Sequence, residues 1–229
     1  MDSSPAAASR LPTGRILPAA FYDRMVHEVA RDLLGMVLVR VLEFPGAPGG
    51  GERLSGRIVE VEAYDGVEDL ACHAAKGRTG RTEPMFGAAG RAYIYLVYGM
   101  HCCLNVVAGP VGHPAAVLIR ALEPLQGTDR MDPGSARPPK IASGPGRLTR
   151  VLRIGLSLNR ADLATPGELF IERGDPVPDA EVRRGPRIGV EYAGAWARKP
   201  WRLGVRGSAA LSRPFPASRR VGRRGAGGG

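Results

Sequence analysis

Apolar positions recur along this chain with two spacings. From residue 23 the spacing is helical: Asp23 is a candidate N-cap, Val26, Val29, Ala30, Leu33 and Leu34 fall on one face, and Gly35 supplies a stop. The period then shortens to two. Met36–Leu42 reads as a strand, 45–51 as a Pro/Gly loop, and Arg57–Tyr64 as a second strand. In that second strand Val59, Val61 and Ala63 point one way, while Ile58, Glu60, Glu62 and Tyr64 point the other. Ala92–Val97 and Cys102–Val107 form two strands of a hairpin around Tyr98-Gly99-Met100-His101, and Ala116–Leu122 adds another strand. Ser143 or Gly144 can cap a helix with Pro145 in its first position. Ile188–Tyr192 and Trp201–Arg206 read as strands. Helices and strands mix without a βαβ rhythm, which predicts an α+β domain with a largely antiparallel sheet.

Composition bounds the picture. The 229 residues, 44% hydrophobic, fit one large domain or two small ones and can bury a proper core. The formal net charge of +10 points to a polyanionic partner, nucleic acid before an acidic membrane. Part of that charge belongs to the end of the chain, where Arg213, Arg219, Arg220, Arg223 and Arg224 precede a glycine-rich stop. Residues 211–229 are therefore expected to be a disordered tail, residues 1–15 a flexible one, and 16–210 the folded domain. Three cysteines, two of them adjacent at 102 and 103, make a poor disulfide framework, and without a C-x-x-C pair a zinc site is not expected. A reducing cytoplasm fits this usage. The N-terminal stretch lacks the apolar segment of a signal peptide, and no apolar run is long enough to span a membrane.

Several groups of residues could carry chemistry. Alternation puts Glu60, Glu62 and Tyr64 on one strand face. A carboxylate beside an aromatic ring suits a general base, and a solvated strand face is the plain alternative. Nothing local separates Glu60 from Glu62. Tyr93 and Tyr95 share a face of the hairpin, where cross-strand packing accounts for them; Tyr98 and Met100 sit at its turn, where large apolar groups serve best as a wedge against base steps. The helix start at Gly144, Gly146 and Arg147 offers free N–H groups and a cation to a phosphate. Arg120, at the end of an apolar strand, can orient a carboxylate or a water, or form a structural ion pair; His73 stands alone after an acidic loop. The run Trp196–Trp201 is either a basic-aromatic surface or a packed corner.

Taken in order, these runs resemble one family. Gly56–Tyr64, Met85-Phe86, the Tyr93–Met100 hairpin, Leu104-Asn105, Leu118–Pro124, Ser143-Gly144-Pro145, Glu172-Arg173-Gly174 and Trp196–Pro200 closely resemble the signature of the alkyladenine (3-methyladenine) DNA glycosylases, over roughly residues 17–208. The resemblance implies a single mixed domain with a curved antiparallel sheet, surrounding helices and a protruding β-hairpin. It implies Glu62 as the base that deprotonates water and Arg120 as the residue that helps hold that water. Tyr64, His73 and Tyr95 would sandwich and hydrogen-bond a flipped purine, and Asn105 would crowd the exocyclic amine of normal guanine. Tyr98 would fill the vacated stack. It further implies a monofunctional, monomeric enzyme of bacterial cytoplasm, associated with the nucleoid. Such an enzyme acts on double-stranded DNA containing damaged purines, needs no cofactor or metal and binds no membrane. One departure is Cys102, where the family often carries an aromatic. A catalytically silent nucleic-acid-binding protein on the same scaffold is the alternative; a carbohydrate hydrolase would want two carboxylates flanking its bond, which Glu60 and Glu62 on one strand do not provide.

Overall fold

A computed structural model describes residues 15–42, 51–132 and 140–216. Two short helices, α1 (Ala19–Tyr22) and α2 (Val26–Leu33), lead into strands β1 (Val37–Leu42) and β2 (Glu52–Asp65). The hairpin β3 (Ala92–Val97) and β4 (His101–Val107) follows, then β5 (Ala115–Gln126) and helices α3 (Thr128–Met131) and α4 (Pro145–Val151). Three short strands close the domain: β6 (Leu169–Glu172), β7 (Val182–Gly185) and β8 (Arg202–Val205). All eight strands join one antiparallel sheet in the order β3-β4-β5-β2-β1-β6, with β8 on β2 and β7 on β8. The expected α+β domain with its antiparallel sheet is what the chain forms.

The long strand β2 organises the site. One edge pairs with β5 along most of its length. The other edge pairs with β1 through Glu52–Arg57 and then with β8 through Glu60–Glu62. The register against β5 shifts on both sides of Glu60, so β2 bends where the two carboxylates lie. Val59, Val61 and Ala63 face the main core as the alternation requires, packed with Val26, Val29, Ala30 and Leu33 of α2. The opposite face is not solvated: Glu60 and Glu62 are fully buried, roofed by the segment before β8 and by residues 211–216.

Four details differ from the pattern reading. Asp23 closes α1 and does not cap α2; Met25 occupies the N-cap without a side-chain bond. Ile188–Tyr192 is no strand, because Gly189 turns at φ 74° and a 3₁₀ run, Glu191–Arg198, begins at once. Strands β6 and β7 have four residues each, too short for alternation to announce them. The tail expected from 211 onward stays on the domain through 216. The Ser143 hydroxyl donates to the Leu211 carbonyl, and Arg202 donates to the Arg213 and Pro214 carbonyls. The Arg/Gly-rich stretch 217–229 and residues 1–14 lie outside the described residues. Gly35 does stop α2: at φ 90° it lets the Asp175 carbonyl approach to where a side chain would stand.

Candidate active site

A cavity of about 480 Å³ opens between the β3–β4 hairpin and the loop before β8, within the usual range for a small-molecule pocket. Tyr64, His73, Tyr95 and Asn105 line it, each delivered by a different part of the sheet or the loop after β2. Tyr95 meets His73 edge-on with centroids 4.5 Å apart and Tyr93 at 5.4 Å. Tyr93 is hydrogen-bonded through its hydroxyl to His73 Nδ1 at 3.0 Å, which leaves Nε2 for a ligand. Burial, then Arg81 and Lys76, push the His73 pKa down to about 4, so the imidazole is neutral at pH 7. Asn105 lies opposite Tyr93 and donates to its carbonyl at 3.0 Å. Burial also pushes the Tyr93 phenol up to about 12, and the Tyr64 and Tyr95 phenols well up, so all three rings are neutral.

Glu62 lies beneath this cavity rather than on its wall, and three wall residues hold it. Its Oε1 accepts the Ile188 backbone N–H at 2.8 Å; its Oε2 accepts the Tyr64 hydroxyl at 2.8 Å and Arg120 Nη1 at 3.2 Å. An ionised carboxylate offers about four acceptor positions, so one on Oε1 stays open. Burial pushes the Glu62 carboxyl above the ordinary range, while Arg120, the Ile188 N–H and Tyr64 pull it back.

The two glutamates, equivalent in sequence, are separated by what surrounds them. Glu60 is enclosed by Arg120 Nε at 3.1 Å, Arg202 Nη1 at 3.2 Å and the Ser212 hydroxyl at 2.8 Å, with the Ser212 backbone N–H on its other oxygen. Of these donors only Arg120 lines the cavity, whereas Tyr64, Ile188 and Arg120, which hold Glu62, all line it.

Tyr98 and Met100 stand at the tip of the hairpin, 88% and 74% exposed, and neither packs on the domain. The turn needs Tyr98 at φ 51°, a left-handed conformation that costs a bulky residue about 1 kcal/mol or more. The tip therefore holds Tyr98 out from the domain at a backbone cost. Gly144, Gly146 and Arg147 line a neighbouring cleft of about 660 Å³ that shares His101, Arg120 and Ile188 with the first and adds Lys140, Arg150 and Arg213. Gly144 caps α4 at φ 116° and Pro145 takes its first position. Trp196 and Trp201 pack edge to face at 5.5 Å with Lys199 over both rings, which makes that run a packed corner.

Sequence reading missed several participants. The Ile188 donor is a backbone group and has no side-chain signature. Arg187 is buried against Asp69, lies 4.7 Å over the Tyr64 ring and donates to the Ala63 carbonyl. It thereby fixes both the ring and the loop that carries Ile188. These partners are 118 residues apart, beyond any local pattern. Ser212 belonged to a stretch whose composition suggests only a tail.

Known proteins resemble the chain over most of its length. Proteins bearing the name "Putative 3-methyladenine DNA glycosylase" share 52% identity with the chain in Myxococcus xanthus over 204 residues (89% of this chain, 97% of that one) and 49% in Methanocella arvoryzae over 204 residues (88% and 98%). A third, from Anaeromyxobacter dehalogenans, is 49% identical over 200 residues (87% and 88%). The family model for methylpurine-DNA glycosylase matches residues 20–209, and the chain belongs to the methylpurine-DNA glycosylase family.

Proposed function

We propose that this protein is a monofunctional DNA glycosylase that takes a damaged purine out of duplex DNA and hydrolyses its N-glycosidic bond with water activated by Glu62. One observation carries the reading. A buried carboxylate with one acceptor position open lies under an aromatic cavity of about 480 Å³, and the walls of that cavity supply its other hydrogen bonds. The flipped base enters between Tyr64 and the His73–Tyr95 pair, and neutral His73 hydrogen-bonds its edge. Asn105, fixed by the Tyr93 carbonyl, limits room on the pocket floor.

As the glycosidic C–N bond breaks, its electron pair goes to the purine. The sugar approaches an oxocarbenium ion, which the Glu62 carboxylate stabilises. Water held by Glu62 and Arg120 attacks C1′ and passes a proton to Glu62, leaving an abasic site and a free base. An N-alkylated purine starts with a positive charge and departs neutral, so it leaves without prior protonation. Tyr98 fills the gap left in the stack, and the cleft of Lys140, Arg147 and Arg150 receives the phosphates beside it.

The test is Glu62→Gln. Base release from methylated duplex is expected to fall by at least a thousandfold with duplex affinity kept, since the base and the charge that stabilises the transition state both go. Full activity in that variant overturns the assignment.

A further inference from the structure

We infer that Ser212, on the strap of residues 211–216, is a positioning residue of the active site, setting Arg120 against Glu62 from the far end of the chain. Its hydroxyl donates to Glu60 Oε1 at 2.8 Å and accepts from Arg120 Nη2 at 3.2 Å, with Arg120 Nε at 3.4 Å. Its backbone N–H donates to Glu60 Oε2 at 2.5 Å. Ser212 thus closes the back of the guanidinium whose front, Nη1, meets Glu62 at 3.2 Å.

The strap is held in a seat built for it. Gly204 and Gly185 lack side chains where the Phe215 ring lies; a Cβ on Gly204 would come within 2.6 Å of that ring. Arg202 stacks on Phe215 with its guanidinium carbon 3.9 Å from the ring centroid and donates to the Pro214 carbonyl at 2.9 Å. The same Arg202 donates to Glu60, so the strap and the carboxylate pair share one anchor.

The physical consequence follows from what Arg120 loses without the hydroxyl. Arg120 is 6% exposed, and its Nη2 has Ser212 as its protein acceptor. A buried N–H left without an acceptor is costly, so the guanidinium turns toward the cavity that it already lines. Nη1 then draws away from Glu62. The charged and titratable groups around that carboxylate are Arg120 from β5, Glu60 and Tyr64 from β2, Arg202 from β8, Arg187 from the loop before β8, Tyr95 from β3 and Cys103 from β4. Of these only Arg120 touches Ser212 and Glu62 both.

The experiment uses the full-length protein with Ser212→Ala and Ser212→Thr. Single-turnover base release from methylated duplex is followed across pH, and the Glu62 carboxyl is titrated by 13C NMR in labelled glutamate, with Glu62→Gln identifying its resonance. In Ser212→Ala the rate falls about tenfold with duplex affinity unchanged, and the Glu62 titration moves to higher pH together with the acid limb of the rate. Ser212→Thr restores both. An unmoved Glu62 titration in Ser212→Ala overturns the inference, whether or not the variant is less stable; so does a loss that Ser212→Thr shares in full. The rate arm rests on Glu62 as the base, whereas the titration arm does not. A shifted titration in an enzyme whose Glu62→Gln variant stays active therefore sinks the proposed mechanism and leaves the link between Ser212 and Glu62 standing.

Discussion

Asp69→Asn isolates the buried ion pair behind the pocket. Asp69 accepts Arg187 Nη2 at 2.8 Å and Nη1 on its other oxygen, and both side chains are fully buried. Asn keeps the shape but removes the charge and turns an amide N–H toward the guanidinium, so the arginine is left buried without its counter-ion. Breaking such a pair from one side costs roughly 3–5 kcal/mol. For a domain of this size each kcal/mol lowers Tm by about 2–4 °C, which gives a fall of about 6–20 °C. Scanning calorimetry measures it directly. The companion is Arg187→Met: in the double variant no charge is stranded, and much of the loss from Asp69→Asn is recovered relative to the sum of the single variants. Base release also drops in each single variant, because Arg187 backs the Tyr64 ring and precedes the residue whose N–H holds Glu62. A cost under about 1 kcal/mol for Asp69→Asn, or strict additivity in the cycle, refutes the reasoning.

Two further outcomes are expected. Tyr98→Gly relieves the left-handed backbone at the hairpin tip, so Tm stays level or rises, while excision from duplex falls roughly tenfold and excision from single strands changes little; equal losses on both substrates would argue against a wedge. With His73 held down to about 4 against about 6.5 in the unfolded chain, the unfolded state takes up a proton that the folded state refuses, and stability falls as pH drops through that window. Urea unfolding between those pH values shows a shallower slope in His73→Gln, and an unchanged slope sinks the argument.

How much of this was legible in the sequence follows the range of each interaction. The hairpin, the core face of β2 and the Gly144-Pro145 helix start are local, and alternation or capping chemistry announces them. Alternation also put Glu60 and Glu62 on one face, yet it could not say that the face was roofed. The roof consists of a loop with Gly189 turned the wrong way for a strand and of a strap whose composition suggests only a solvated tail. Arg187 and Arg202 carry no local signal, because their acidic partners Asp69 and Glu60 lie far off in the chain. The family resemblance named Tyr64, His73, Tyr95 and Asn105, which line the cavity. It was silent on the groups that hold those residues still.

The strap also sets an order on the making of the protein. The Ser212 N–H reaches back 152 residues to Glu60. At about 5–20 residues per second, a ribosome takes roughly 8–30 s to add that length of chain. Throughout that interval a carboxylate destined for full burial lacks two of its donors, and a buried charge in that state is not tolerated. The seal over Glu60 is therefore complete only after the chain beyond β8 has emerged. A chain that stops early carries Glu62, Arg120 and the whole aromatic pocket in its sequence, and still cannot close the floor beneath them.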